Sequence, residues 1–181
     1  LLAGAAERTL DVQYYIWHDD LTGRLLGREA YLAAQRGVRV RLLIDDMNAE
    51  GLDSKLLALD QHPNVEVRVY NPFRNRRGLW RVLEMAQRIF SDNHRMHNKA
   101  WIADGRAAIV GGRNIGEEYF GAGKDVNFRD LDLLLFGPAV KEASGIFDAY
   151  WNSEAAVPLS ALSKKYPREL KFLIDQIKIE A

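Results

Sequence analysis

The side chains best suited to chemistry occur between residues 95 and 114. His97 and Lys99 are two positions apart, so in a strand both side chains leave the same face. Asn114 follows the Gly111-Gly112 pair, where an amide and backbone N–H groups can donate from one end of a hairpin. We therefore expect a phosphate-binding site in which a nucleophile or base, His97, lies beside a fixed cation.

A β-hairpin is predicted to carry this set of groups. Residues Ala100–Ala103 and Ala107–Val110 favour strands, and the Asp104-Gly105 step between them is a strong hairpin signal. A carboxylate at a hairpin tip is explained by turn chemistry alone. For Asp104 we therefore prefer a structural role over a catalytic one.

A longer pattern extends from this hairpin. His97, Lys99 and Asp104 have the spacing His-x-Lys-x(4)-Asp, and Gly-Gly-x-Asn follows. The pattern resembles the HKD motif of the phospholipase D superfamily. Three further runs are similar to its bacterial cardiolipin synthase branch, namely Tyr14-Tyr15-Ile16-Trp17, Ile115 to Phe120, and Asp130-Leu131-Asp132 before Gly137-Pro138. The same branch commonly has Gly-Gly where some single-motif relatives have a hydroxyl residue, which favours lipid over nuclease chemistry.

The resemblance implies a mechanism. His97 would attack phosphorus to form a phosphohistidine, and a second histidine from another lobe would protonate the leaving alcohol. Lys99 and Asn114 would each bind a non-bridging phosphate oxygen. The reaction needs no metal and no organic cofactor.

Further residues are expected around the phosphate. By resemblance, Asp130 would bond the other ring nitrogen of His97 and fix its tautomer. Asp132 follows the same alternation, so the choice between the two acids stays open. The positions expected to contact substrate are Gly111, Gly112, Glu117 and Arg95.

Composition limits the function classes. The 181 residues contain 25 basic and 25 acidic side chains, so no overall field attracts nucleic acid. The chain has no cysteine, and His94 and His97 would lie on opposite faces of a strand, so no metal site is expected. A local excess of Lys and Arg between Arg74 and Lys99 would attract an anionic substrate.

The hydrophobic pattern predicts an α/β fold. Strands and helices alternate along the first 70 residues, which argues for an α/β layer with parallel strands. With the resemblance, this implies a phospholipase D-like α/β sandwich with a mixed, mostly parallel sheet and helices on both faces. A strand over Leu131–Phe136 is expected to be central, and Pro138 opens a helix to about Trp151. Residues 1–157 are expected to form one HKD lobe, followed over 158–181 by a linker and an amphipathic helix, Leu170–Ile179.

The function that we expect is phosphatidyl transfer or phosphodiester cleavage on phospholipids, as in a cardiolipin synthase. The resembling synthases usually carry two HKD motifs and this chain carries one. It is expected to be the N-terminal half of a two-lobed enzyme, with a homodimer as the alternative. Phospholipid and a membrane surface are the expected partners, at the bacterial inner membrane, with any targeting signal outside this sequence.

Two rival functions stay open. The first is a homodimeric endonuclease of the same superfamily, which the zero net charge disfavours. The second is an inactive lobe that serves as a binding or dimerisation module. A predicted helix over Leu79–Phe90, with Trp80 and two arginines, is either a membrane-contacting helix or an ordinary amphipathic core helix.

Overall fold

The computed structural model describes residues 1–46, 53–72 and 95–162. Within these ranges, seven strands form one sheet. The strands are β1 Thr9–Tyr14, β2 Arg39–Asp45, β3 Val65–Tyr70, β4 Ala100–Ala103, β5 Ala107–Gly111, β6 Asp132–Phe136 and β7 Ala156–Pro158. The helices are α1 Leu2–Ala5, α2 Leu21–Gln35, α3 Asp53–Asp60, α4 Pro138–Trp151 and α5 Leu159–Leu162, and a 3-10 turn covers Glu117–Tyr119.

The sheet is mixed, with the strand order β6-β5-β4-β1-β2-β3-β7. Strands β1, β2 and β3 are parallel neighbours, because helices α2 and α3 return the chain between them. The remaining neighbours are antiparallel. The expected mixed α/β sheet is therefore confirmed, but the expected parallel majority is wrong for the described pairs. The reason is that β4 and β5 form a hairpin and that β6 and β7 also join antiparallel.

Each face of the sheet has its own apolar core. On one face, Leu10 and Val12 of β1 pack in a buried cluster with residues of α2, α3 and α5. On the other face, Leu43 and Ile102 pack with Phe147 of α4. Helices therefore cover both faces, as expected.

An ion pair fixes α4 to its face of the sheet. Arg41 of β2 donates from Nε and Nη2 to the carboxylate of Asp11, at 2.6 and 2.9 Å. Its Nη1 lies 2.8 Å from Asp148 of α4, and the guanidinium lies 4.7 Å from the centre of the Phe147 ring. A bidentate, half-buried guanidinium of this kind fixes orientation as well as proximity. The ion pair therefore positions α4, which forms one wall of a pocket.

The N-terminus of α2 is tied to the turn around the 3-10 helix. Asp20 is the N-cap, and its Oδ1 accepts from Gly23 N at 2.9 Å. Its Oδ2 accepts from the backbone N–H of Glu117 at 2.7 Å. A Cβ atom at Gly23 would overlap the carbonyl oxygen of His18, so only glycine fits this first turn. The cap therefore joins two segments that are far apart in sequence.

Strand β6 is not central, which corrects one expectation. It lies at the edge of the described sheet, and Leu131, Leu133, Leu134 and Phe136 are 53–75% exposed. An apolar run on both faces is typical of a strand buried on both sides, which explains the expectation. Here no described residue covers those side chains.

Some of the predicted features cannot be compared with the structure, because they lie outside the residues that it describes. The predicted helices over Leu79–Phe90 and Leu170–Ile179, and His94, lie outside the described residues. The division at residue 157 stays a prediction, although β7 pairs with β3 and Leu159 is fully buried in this lobe. Among the described helices, none has the length and hydrophobicity needed to cross a membrane.

Candidate active site

His97 and Lys99 lie where β1 and β2 end and β4 begins. Neither is in a strand, because β4 starts at Ala100. Their side chains still meet: Lys99 Nζ lies 3.0 Å from His97 Nδ1 and donates to the His97 carbonyl oxygen at 2.6 Å. The expected contact between the imidazole and the ammonium is therefore present. It forms in the segment before β4 and not within a strand, as the spacing argument had assumed.

The segment that carries them is anchored by Asp45, the last residue of β2. Its carboxylate is fully buried and accepts from the backbone N–H of Met96 at 3.1 Å. Arg95 Nη1 donates to the same carboxylate at 3.2 Å. The sequence had offered Arg95 as a substrate contact, and the structure places its guanidinium on Asp45. A buried acid at the carboxyl end of a parallel strand was the available signal for this anchor.

The electrostatics favour a neutral imidazole. Partial desolvation lowers the pKa of His97 below its ordinary value and the charge of Lys99 lowers it further, while Asp45 opposes both. Burial also lowers the pKa of Lys99, against an opposing effect of Asp130. His97 is therefore unprotonated near neutral pH, as a nucleophile must be.

The contact with Lys99 also defines the tautomer. An ammonium can only donate, so Nδ1 accepts and the ring proton sits on Nε2. The Tyr15 ring lies 4.7 Å from the His97 ring, and Lys99 Nζ is 5.3 Å from its centre. Tyr15 is thus a site residue. In the sequence it stood out only as part of the Tyr14-Tyr15-Ile16-Trp17 run that carries the resemblance.

Asn114 is held by the chain that extends from β1. Its Oδ1 accepts from the backbone N–H of Ile16 at 3.1 Å, and the side chain is buried. Ile115 N donates to Ile16 O at 3.1 Å, and His18 N donates to Ile115 O at 2.8 Å. Because the amide oxygen is used, the N–H2 group is the end of Asn114 that can donate to a ligand.

The N–H groups of the two glycines bond within the protein, and the lack of a side chain at both positions makes room for a neighbouring segment. Gly111 N donates to Lys99 O and Gly112 N donates to Leu131 O, so the expectation that both N–H groups bind phosphate is wrong for this structure. A Cβ atom at Gly112 would lie 2.6 Å from Asp130 Oδ1, and one at Gly111 would overlap the Leu131 carbonyl. Glycine is needed here because the segment that carries both acids passes so closely.

The structure separates the two candidate acids. Asp132 Oδ2 accepts from Arg113 Nε at 2.7 Å and lines a pocket on the opposite face of the sheet, with Tyr14. Asp130 is the acid whose charge raises the pKa of Lys99 against the effect of burial. No Asp130–His97 hydrogen bond occurs in the described residues. That Asp130 orients the nucleophile stays a prediction.

Asp104 does not reach the site. It lies at the other end of the β4–β5 hairpin, where its carboxylate accepts from the backbone N–H groups of Glu7, Arg8 and Thr9 at 2.8–3.0 Å. Its φ is +55°, a left-handed conformation that Asp tolerates in turns. Burial alone would raise its pKa, but the three backbone hydrogen bonds lower it overall. These contacts support the structural role that the turn chemistry favoured for Asp104 over the catalytic role that its place in the motif suggests.

The Glu117 side chain also has a structural contact. Its Oε1 accepts from Leu21 N at 3.2 Å, at the start of α2. Nearby, His18, Asp20 and Glu118 bring ligand atoms within 4.8 Å of one another, the one such group in the described ranges. His18 Nδ1 already pairs with Glu118 at 3.0 Å and Asp20 is the α2 cap, so we assign the group to holding this turn.

Comparison with known proteins gives a consistent result. Residues 2–151 match the family model described as cardiolipin synthase, PLD-like domain. The chain is 52% identical to cardiolipin synthase C of Escherichia coli K12 over 158 residues, which are 87% of this chain and 33% of that protein. It is 35% identical to a cardiolipin synthase of Staphylococcus aureus over 79% of this chain and 27% of that protein. The chain thus spans about a third of the length of these relatives.

Solved structures show the same fold. NucT from Helicobacter pylori superposes with a TM-score of 0.62 at 19% identity, covering 86% of this chain and 85% of that chain. Phosphatidylserine synthase of Haemophilus influenzae Rd KW20 gives a TM-score of 0.62 at 15% identity, covering 98% of this chain and 38% of that chain. At such identities the likeness speaks for the fold alone. With the family match over most of its length, the chain belongs to the cardiolipin synthase family of phospholipase D-like proteins.

Proposed function

We propose that this chain is one catalytic lobe of a phosphatidyltransferase that acts on phospholipids through a phosphohistidine at His97. The observation that carries the proposal is the meeting of His97 and Lys99 in a chain of the cardiolipin synthase family, with Asn114 buried and bonded through its amide oxygen to Ile16. No metal or organic cofactor is required by this chemistry. The proposed working place is the surface of the bacterial inner membrane, where the substrate lies.

The reaction has two displacements. In the first, Nε2 of His97 attacks phosphorus, the P–O bond to the leaving alcohol breaks, and that alkoxide takes a proton from a second histidine. In the second, an acceptor alcohol gives its proton to the second histidine and attacks phosphorus, which breaks the P–N bond. The phosphatidyl group moves to the acceptor, and water in the acceptor's place gives hydrolysis.

Attack through Nε2 requires the ring proton on Nδ1. In the structure Lys99 donates to Nδ1, which puts the proton on Nε2. A bound phosphate would compete for the Lys99 ammonium, since its oxygens carry negative charge. Once Lys99 binds the phosphate, Nδ1 of His97 can carry the ring proton. The Nδ1–H group can then donate a hydrogen bond to a carboxylate, for which Asp130 is our candidate. Substrate binding would therefore convert His97 to its nucleophilic tautomer.

The second histidine has to come from outside the described part of this lobe. In the described ranges, His18 is paired with Glu118, and His62 lies beside Tyr31 with 5.6 Å between ring centres. Strand β6 follows Asp130 in the chain, and its exposed apolar side chains are suited to cover by a second lobe. Because the chain spans about a third of its relatives, we propose a second HKD lobe in the same polypeptide. A second copy of this chain is the alternative.

Turnover on two substrate classes tests the proposal. The longest natural chain that contains this sequence is given phosphatidylglycerol vesicles or plasmid DNA. We expect glycerol release with diphosphatidylglycerol formation and no DNA cleavage. His97→Ala should remove lipid turnover, whereas the matched control His62→Ala, far from the site, should keep it. DNA cleavage without lipid turnover would establish the endonuclease rival, and no turnover of either substrate would favour an inactive lobe.

A further inference from the structure

A pocket adjoins the proposed phosphate site, between the sheet and α4. Its volume is about 380 Å³, within the range of about 300–1,000 Å³ that small-ligand sites occupy. Its lining includes Lys99, Ala100, Leu135, Ala139 and Ala143. The alanines of α4 are one turn apart and so share a helix face. The space exists because small side chains stand where larger ones would pack the helix onto the sheet.

Gln13 supplies a buried polar group to this pocket. It is 1% exposed, and its Nε2 has no hydrogen-bond partner among the described residues. Gln13 pairs with Ala100 across the antiparallel β1–β4 ladder, so both side chains project to the face that carries α4. A buried N–H2 group without an acceptor is unfavourable, because its hydrogen bonds to water are lost and not replaced. The pocket therefore offers a donor that a ligand oxygen can satisfy.

The surroundings define which oxygen fits. Most of the walls are apolar, although Asn98 and Glu142 also line the pocket. Because Nε2 of Gln13 can only donate, it is matched by a group that accepts, such as an ester carbonyl. Lys99 lines the same pocket and is the proposed phosphate contact. A glycerophospholipid carries ester carbonyls a few bonds from its phosphate. None of the described lining residues is aromatic, so the pocket lacks the stacking surface that a nucleic-acid base would use.

We propose that this pocket binds the ester-bearing glycerol backbone of the donor phospholipid, with Gln13 Nε2 donating to an ester carbonyl. The inference rests on the proposed function and adds to it the part of the substrate that this face recognises. It also assigns a role to a residue outside the HKD pattern. An ordered water on Gln13 is the competing explanation, and it predicts no dependence on the ester group.

The test compares ester and ether lipids. Short-chain phosphatidylglycerol with ester-linked chains, and its ether-linked analogue without carbonyls, are titrated into the full chain below their micelle concentrations. We expect the ester lipid to bind about five-fold more tightly, the ratio for one hydrogen bond. Gln13→Leu should remove the difference, and the matched control Gln35→Leu, at an exposed position of α2, should keep it. An unchanged ratio in Gln13→Leu, or no binding of either lipid, would overturn the proposal.

A second variant covers a folding failure of Gln13→Leu. Ala143→Leu places bulk in the pocket from a half-buried position of α4 and should weaken both lipids several-fold and equally. Retained affinity in this variant would also overturn the proposal. Turnover separates this inference from the function on which it rests. Ester-selective binding without phosphatidyl transfer would contradict the function, whereas transfer with an unchanged ratio in Gln13→Leu would contradict only the pocket assignment.

Discussion

The β4–β5 hairpin carries charged side chains at both of its ends, and the two ends are bonded differently. At the turn, the Asp104 carboxylate is satisfied by three backbone N–H groups, which lower its pKa. At the open end, the Lys99 ammonium lies against an imidazole and a carbonyl oxygen, in an environment that lowers its pKa. The motif thus contains a carboxylate, Asp104, whose charged form the protein stabilises, and an ammonium, Lys99, whose charged form a bound anion would stabilise. The chemistry belongs to the second end.

Removing the cation is expected to have the largest effect. Lys99→Met should lower phosphatidyl transfer by about 10²–10³-fold, the usual cost of losing one charge-stabilising donor. The fold should be kept, since Met retains most of the apolar stem. Activity per folded protein is the measurement, with the exposed Lys124→Met as the control. A loss below ten-fold would show that Lys99 does not contact the phosphate.

At the turn end, the expected effect is on folding. Asp104→Ala leaves three backbone N–H groups without their acceptor and should destabilise the chain by about 1–3 kcal/mol in urea unfolding. Transfer by the folded fraction should stay within two-fold. Because the folded pKa of Asp104 is lowered, its stabilisation is present above the unfolded pKa of about 3.9 and is lost as pH falls through the folded value. A large loss of turnover without destabilisation would return Asp104 to the catalytic set.

The glycine pair should give a smaller and graded effect. A Cβ at Gly111 overlaps the Leu131 carbonyl, which is backbone, whereas a Cβ at Gly112 meets the movable carboxylate of Asp130. Gly111→Ala should therefore destabilise the chain more than Gly112→Ala. Gly112→Ala should mainly reduce turnover, by about ten-fold if Asp130 orients His97. Thermal melting and turnover of both variants check this, and the reverse order of stabilities would contradict the packing argument.

The smallest effect concerns pH. Since the active form of His97 is neutral and its pKa is lowered, the acidic limb of turnover should have its midpoint below pH 6.5, with activity lost as pH falls through that value. In Lys99→Met the residual activity should have its midpoint at a higher pH, because the neighbouring positive charge is gone. A midpoint that does not move would show that Lys99 has no electrostatic effect on His97.

Local sequence signals predicted much of the fold. The β-α-β-α-β alternation, the Asp104 turn and the Pro138 helix start depend on short-range patterns, and the structure has all of them. The position of β6 could not be predicted, because an apolar strand has the same sequence whether its cover is within the lobe or outside it. The His97–Lys99 contact was expected from their spacing in a strand, and the structure forms it in the segment just before β4. The Asp45 anchor and the buried Gln13 depend on neighbours that are distant in sequence, so spacing could not reveal them.

The most direct test of the central claim is to locate the covalent intermediate. The longest natural chain with this sequence is mixed with phosphatidylglycerol, quenched under alkaline denaturing conditions that preserve a phosphoramidate, and mapped by mass spectrometry. We predict a phosphatidyl adduct on His97 in the wild type, and none at that position in Lys99→Met within the same time. A chain that turns over lipid while carrying its adduct at a different residue, or no adduct, would contradict the assignment of His97 as the nucleophile.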